Sequence, residues 1–83
     1  MEERDVTQIL SAADDSVSLI NGVNDGSWNV EGMEQSEIND MVQRNVDHLE
    51  IILAYEEVVA DSSDKSSYNS AISTGKSYIS SNS

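Results

Sequence analysis

The sequence contains no cysteine, no proline and no phenylalanine, and its 83 residues include one tryptophan and one histidine. Without cysteine the chain forms no disulfide bond, and a single histidine excludes the His/Cys clusters that hold structural zinc. A chain of this length buries only a little over ~60% of the surface that it exposes when unfolded, so its stability is marginal. Additional stability must therefore come from good helix packing, from self-association or from docking on a larger partner.

Basic residues are also scarce, because four Lys and Arg accompany sixteen Asp and Glu and give a formal charge of −12. Residues 1–61 carry fifteen of the acids with only Arg4 and Arg44, whereas residues 62–83 have a charge of +1. Binding of nucleic acid normally depends on Lys and Arg that displace counterions, so we expect no direct nucleic-acid binding. The acids either form a solvated surface or mimic a nucleic-acid backbone in the basic groove of another protein.

Long apolar runs are missing as well. No run approaches the ~20 apolar residues of a membrane-spanning helix. The first residues, Met-Glu-Glu-Arg-Asp, lack the basic and then apolar pattern of a secretory signal. We therefore expect no membrane contact and a protein that is used without export.

The apolar residues that are present repeat every three or four positions, which predicts amphipathic helices over residues 5–21, 34–59 and 64–80. Asn21-Gly22 is a typical end of a helix, and Ser62-Ser63-Asp64 is a candidate cap for the third one. One all-α domain is expected, a three-helix bundle around the long middle helix. The predicted apolar positions are Val6, Ile9, Leu10, Ala13, Val17 and Ile20, then Ile38, Met41, Val42, Val46, Leu49, Ile52, Leu53, Tyr55 and Val59, then Tyr68, Ala71, Ile72, Gly75, Tyr78 and Ile79.

Two positions in this pattern allow alternative interpretations. Gly75 lies inside the third apolar stripe, where it marks either the close approach of another helix or a weak point in a short terminal helix. Trp28 lies in the predicted loop 21–33, which has room for a short hairpin around Val23 and Trp28. Its indole either covers the end of the helical core or anchors a partner. The candidate interaction residues are Trp28, Val23, Val30, Tyr68 and Tyr78, although tyrosines in such a bundle more often lie at the edge of the core.

No set of residues specifies a reaction. His48 has no Cys, Lys or second His near it in sequence, so we expect a structural role. The carboxylates of Glu57, Asp61 and Asp64 would share a face if the second helix continued, but a bundle this small has little room for a substrate cleft. Residues 21–32 resemble a calcium loop only weakly, because Val23 takes the third position and Gly32 replaces the glutamate at the twelfth. We expect no enzymatic activity, no cofactor and no dedicated metal site.

Five segments carry a further resemblance: Val30–Met33, Glu37–Val42, Arg44–Glu50, Ile52–Ala54 and Ala71–Ile79. They resemble short uncharacterised proteins encoded by tailed bacteriophages, and the resemblance extends over about half of the chain. The resemblance implies a phage origin and, for a small protein without enzymatic parts, a place in the virion after synthesis in the host cytoplasm. It implies a head or tail accessory subunit that packs its helical faces on a larger capsid or tail protein, with copies of itself as further partners.

Two other functions remain compatible with the residues. The first is an acidic inhibitor of a host defence or nucleic-acid enzyme, which should align its carboxylates along one elongated face. A packing subunit should instead have them scattered on its solvent side. The second is an assembly factor that is absent from the final particle, and no residue distinguishes it from a virion component.

Overall fold

The protein is a bundle of three helices. The computed structural model describes residues 3–55 and 62–82, with side chains for residues 8–55 and 64–82. The helices are α1 (Glu3–Asp25), α2 (Gln35–Leu53) and α3 (Ser62–Ser81), and the described residues contain no strand. Each helix packs against both of the others in a body of 39 × 20 × 18 Å. The predicted all-α three-helix bundle is confirmed.

The core consists of the residues that the helical periodicity selects. The middle helix contributes more of it than either of the other two, because its inward positions are aliphatic for four turns. The buried apolar residues are Ala13, Ile20 and Val23 of α1, Ile38, Val42, Val46, Leu49 and Ile52 of α2, and Tyr68, Ala71 and Ile72 of α3. Ile9, Leu10, Val17, Met41, Leu53, Tyr78 and Ile79 pack at its edge, as predicted. Tyr55 is different, since 52% of its surface is exposed.

The first helix continues one turn beyond its predicted end. Asn21 and Gly22 are helical, and Val23 is a buried helical residue rather than part of a hairpin. The chain turns instead at Gly26, whose φ of 85° is favourable only for glycine. The missing side chain of Gly22 leaves room for Trp28, whose Cβ would lie 3.2 Å from a Cβ added at Gly22.

The second helix ends earlier than predicted, at Leu53. The backbone N–H groups of Ala54 and Tyr55 close it by donating to the carbonyls of Ile51 and Ile52, respectively. The rest of the predicted helix, residues 56–59, lies outside the described residues, as does Val59 of its apolar stripe. The helix starts near its predicted position, where the Glu37 carboxylate accepts a 2.9 Å hydrogen bond from the backbone N–H of Glu34. The third helix begins at Ser62, so the predicted capping residues are themselves helical.

Gly75 is the point where α3 comes closest to α2. A methyl group at Gly75 would overlap Cγ2 of Val46 and would lie 3.3 Å from Cγ1 of Val42. Both valines are fully buried, so neither can move towards solvent. Of the two interpretations of this glycine, close helix approach is the one that the structure shows.

Candidate functional site

Trp28 is presented by a short loop between α1 and α2 that hydrogen bonds hold in shape. The backbone N–H of Trp28 donates to the carbonyl of Gly22 at 3.0 Å, which folds the loop back over the end of α1. The Asp25 carboxylate accepts the backbone N–H of Ser27 at 2.9 Å, and hydrogen bonds from Ser27 lower the pKa of Asp25. A second turn follows, in which the backbone N–H of Glu31 donates to the side chain of Asn29 at 3.0 Å.

The indole of Trp28 does not cover the end of the core. It is 40% exposed and lies against the backbone of Gly22, outside the cluster of core residues. This position does not fit the first of the two interpretations of Trp28, in which the indole covers the end of the helical core. The other large apolar side chains that the described part of the chain exposes are Ile51, at 59%, and Tyr55, both near the end of α2.

The other four candidate interaction residues are not equally accessible. Val23 and Tyr68 are buried, with 8% and 1% of their surfaces exposed, so neither can be a surface contact in the folded monomer. Val30 and Tyr78 are half-buried against the core. The Tyr78 hydroxyl also accepts a 3.0 Å hydrogen bond from the side chain of Gln35, which ties the end of α3 to the start of α2. Of the five, Trp28 is the most exposed.

Tyr68 gives a prediction about alkaline stability. Burial, followed by the negative charges of Asp14 and Asp64 and a hydrogen bond to Asp14, raises the pKa of the Tyr68 hydroxyl from 10.0 to about 12. Between these two values the unfolded chain has lost a proton that the native protein keeps, so the free energy of unfolding should fall as the pH rises through this window. Urea unfolding at about pH 9 and about pH 11.5 measures the change.

The control for this prediction is Tyr68→Phe, which keeps the ring in the core and removes the ionisable group. We expect the variant to lose less stability than the wild type over the same pH interval. Lysine side chains titrate in this range in both proteins, so only the difference between the two curves reports on Tyr68. Identical curves would contradict the assignment.

A polar cluster, defined as the buried Ser16 with the half-buried Asn45 and His48, joins α1 to α2. The Ser16 hydroxyl oxygen lies 2.8 Å from Asn45 Oδ1 and 2.9 Å from His48 Nδ1, and Ser16 is only 3% exposed. The amide of Asn45 donates through Nδ2 to the carbonyl of Met41 at 2.8 Å, so its oxygen faces Ser16 as an acceptor. No buried side-chain N or O atom in the described residues lacks a hydrogen-bond partner.

These contacts determine which atom is the donor in each hydrogen bond of the cluster. Ser16 has one hydroxyl proton, which it donates to the Asn45 oxygen. The contact with His48 then requires an N–H on Nδ1 that donates to the Ser16 oxygen. A serine is activated as a nucleophile when a histidine accepts its proton, and in this cluster the histidine donates instead. The arrangement satisfies buried polar groups and does not activate Ser16.

A groove runs along the N-terminal half of α2. It has a volume of about 560 Å³ and an apolar floor, because Met33 and Met41 are half-buried in it. Exposed charged groups form its rim. The lining residues are Met33, Glu37, Asp40, Met41, Arg44 and Asn45. We refer to this surface as the α2 groove.

The outer face of α3 differs from the surfaces of α1 and α2, because it is polar and almost uncharged. Its exposed side chains include Ser66, Ser67, Asn69, Ser70, Ser73 and Ser77. Lys76 forms a 3.1 Å ion pair with Glu50 of α2, and both side chains are about half exposed, so the pair contributes little to stability. A polar depression of about 420 Å³ separates this face from Asn24 near the end of α1.

The described residues form no group of three or more His, Cys, Asp or Glu that could hold a metal ion. Of the three carboxylates that the sequence places on one face, Glu57 and Asp61 lie outside the described residues. Residues 21–25, at the start of the segment that resembles a calcium loop, are part of α1. None of the helices, within the described residues, is long and apolar enough to cross a membrane.

The sequence analysis did not predict the polar cluster or the α2 groove. The cluster has a signal, because Ser16 lies three residues after Ala13 and four before Ile20, at a position that faces inwards. Asn45 stands in the same relation to Val42 and Leu49. The groove has no comparable signal, since it depends on how the loop places Met33 beside α2.

No protein-family model, curated protein or solved structure matches this chain.

Proposed function

We propose that this protein is a non-enzymatic component of a bacteriophage particle, which packs on a larger capsid or tail protein. The exposure of Trp28 is the observation that carries the proposal. A large aromatic side chain on a loop held by backbone hydrogen bonds loses little conformational entropy when it is buried by a partner. Tryptophan is also among the residues that most often dominate the binding energy of interfaces.

The outer face of α3 supports packing through helical faces. Serine and asparagine side chains cover most of it, so another protein can approach this helix without removing water from carboxylates. The small side chains also allow a close approach. Interactions on more than one face would stabilise a bundle whose own core is small, and a symmetric particle repeats them in every copy.

Co-purification with phage particles tests the proposal. Particles are purified by density and sedimentation, and mass spectrometry then measures the amount of this chain relative to the capsid and tail proteins. We expect a fixed stoichiometry in the wild type. We expect about tenfold or greater loss of this chain from particles that carry Trp28→Ala, because an interface anchor contributes at least this much to binding.

Ile51→Ala is the matched control, since it truncates another exposed apolar side chain near the opposite end of α2. Circular dichroism should show near-normal helicity for both variants, because neither residue belongs to the buried core. Full incorporation of Trp28→Ala would contradict the role of Trp28 as an anchor. Absence of the wild-type chain from purified particles would contradict the proposed function itself.

The alternative, an acidic mimic of nucleic acid, is favoured by one observation, the number of exposed carboxylates on two adjacent helices. They are Asp14, Asp15 and Asp25 on α1 and Glu37, Asp40, Asp47 and Glu50 on α2. On α2 they follow the polar arc around the helix rather than one line, which fits a packing subunit better than a mimic. Recovery of the chain from infected cells with a nucleic-acid enzyme of the host, rather than with particles, would favour the mimic.

A further inference from the structure

The α2 groove combines an adaptable apolar floor with a charged rim. Met33 and Met41 form the floor, and unbranched thioether side chains can change shape to fit different apolar groups. Glu37, Asp40 and Arg44 are exposed along the rim. Their spacing of three and four residues places the three charges over about 10 Å of the helix, at 1.5 Å per residue.

Two of the three rim charges have no partner in the described part of the chain. Neither Asp40 nor Arg44 makes a side-chain hydrogen bond or an ion pair there, although they lie four residues apart on the same helix. Glu37 is held in place, because its carboxylate accepts the backbone N–H of Glu34. The rim thus presents two carboxylates and then a guanidinium, each able to bind an external group of opposite charge.

We propose that the α2 groove binds a basic amphipathic helix of the partner protein. Two apolar side chains of that helix would lie on Met33 and Met41. Its Lys or Arg side chains would pair with Glu37 and Asp40, and an acidic side chain would pair with Arg44. This inference rests on the proposed function, because it gives the chemistry of the segment through which the larger protein is bound.

The charge of the protein decides between this partner and a second copy of the chain. Two copies each carry a formal charge of −12 and would bring the carboxylates of both grooves together. A basic segment is attracted both by the rim and by the remaining acids, which accelerate association and make it sensitive to salt. The apolar floor then determines which part of the acidic surface binds the segment.

The test uses the full chain and a synthetic helical peptide as the probe, with two leucines, two lysines and one glutamate spaced to match the groove. Fluorescence anisotropy of the labelled peptide measures its Kd at physiological ionic strength. We expect Glu37→Gln/Asp40→Asn to weaken binding about tenfold, because the variant loses two exposed charge pairs with the peptide. We expect Met41→Ala to weaken binding several-fold without changing the charge.

The matched control is Asp14→Asn/Asp15→Asn, which removes the same charge from α1 and keeps an oxygen acceptor at each position. We expect less than a threefold change for this pair, because neither Asp14 nor Asp15 lines the groove and exposed charges that do not contact the peptide are screened by salt. Equal losses for the two pairs would overturn the proposal, because they would show attraction to total charge. Absence of peptide binding to the wild type would overturn it too.

Two further measurements separate this proposal from the proposed function and from self-association. If Glu37→Gln/Asp40→Asn and Met41→Ala enter particles at full stoichiometry, the groove is not the docking site, while the particle role stands. If sedimentation equilibrium shows a wild-type dimer that Met41→Ala dissociates, the occupant is a second copy and the proposal is overturned. A monomer that loses both peptide and particle binding with the groove variants supports it.

Discussion

Leu49→Asp should abolish cooperative unfolding of this protein. Leu49 is fully buried in the C-terminal half of α2, where it packs in the core shared by the three helices. The substitution removes about 2–5 kcal/mol of packing and also places a carboxylate in an apolar site. This cost is comparable with the whole stability of a small domain, about 5–15 kcal/mol. Thermal and urea unfolding followed by circular dichroism should show a gradual loss of signal in place of a transition.

Ile51→Asp is the control, because the same substitution is made two residues later at a side chain that is 59% exposed. A change at such a surface position is expected to alter the free energy of unfolding by about 0.5 kcal/mol or less. Leu53→Asp should lie between the two, since Leu53 is only half-buried. A sharp transition in Leu49→Asp would show that the faces of α2 are assigned wrongly.

Gly75→Ala should destabilise the protein, although alanine favours a helix over glycine by about 1 kcal/mol. The added methyl group would overlap Val46, and it would lie 3.4 Å from Cγ2 of Ile20 on the opposite side of the site. Because three helices meet at this position, the steric overlap can be removed only if α3 moves away from the other two. Overpacking of this kind costs about 1–3 kcal/mol. Urea unfolding of wild type and variant measures the difference.

A second substitution distinguishes overpacking from other effects. Val46→Ala removes the methyl groups that the new side chain would meet, so Gly75→Ala should be tolerated much better in this background. The two changes would then be non-additive, as expected for residues in contact. An increase in stability of the single Gly75→Ala variant would mean that the helices do not approach this closely.

Most of the fold was predictable because its helices follow one rule, an apolar side chain at every third or fourth position. The rule identified Val42, Val46 and Leu49 without knowledge of the neighbouring helices, since any partner must cover the same face. It also selected Ala71 and Ile72 in a segment whose serine content is typical of linkers. All five of these residues are buried.

The end of the first helix was not predictable from local signals. Asn-Gly predicts the end of a helix because glycine adopts positive φ easily. Glycine also occurs where another group needs the space that a side chain would fill, and the prediction did not consider this second role. Gly22 has this second role under Trp28, and the positive φ occurs at Gly26 instead. The choice depends on where the indole lies, which is a tertiary contact that the sequence does not show.

The candidate site was predicted less completely than the fold. Trp28 was identified because a large aromatic residue in a polar loop is unusual, but its exposure depended on whether the loop folds over the core or over α1. The α2 groove depends on the same loop, which brings Met33 beside Met41. Met33 precedes α2, and its backbone N–H donates to the carbonyl of Val30 at 3.1 Å, so its place beside Met41 depends on the loop and not on the helical repeat alone.

The cluster of Ser16, Asn45 and His48 also bears on why the chain adopts one packing and not several. Aliphatic stripes on three helices are nearly interchangeable, so a helix displaced by one turn along its neighbour would still bury a similar apolar area. The displacement would separate Ser16 from Asn45 and leave the buried Ser16 hydroxyl without this partner, at a cost of about 1–3 kcal/mol. The hydrogen bonds therefore act mainly against alternative alignments of α1 and α2, and they select the alignment that also shapes the surface around Trp28.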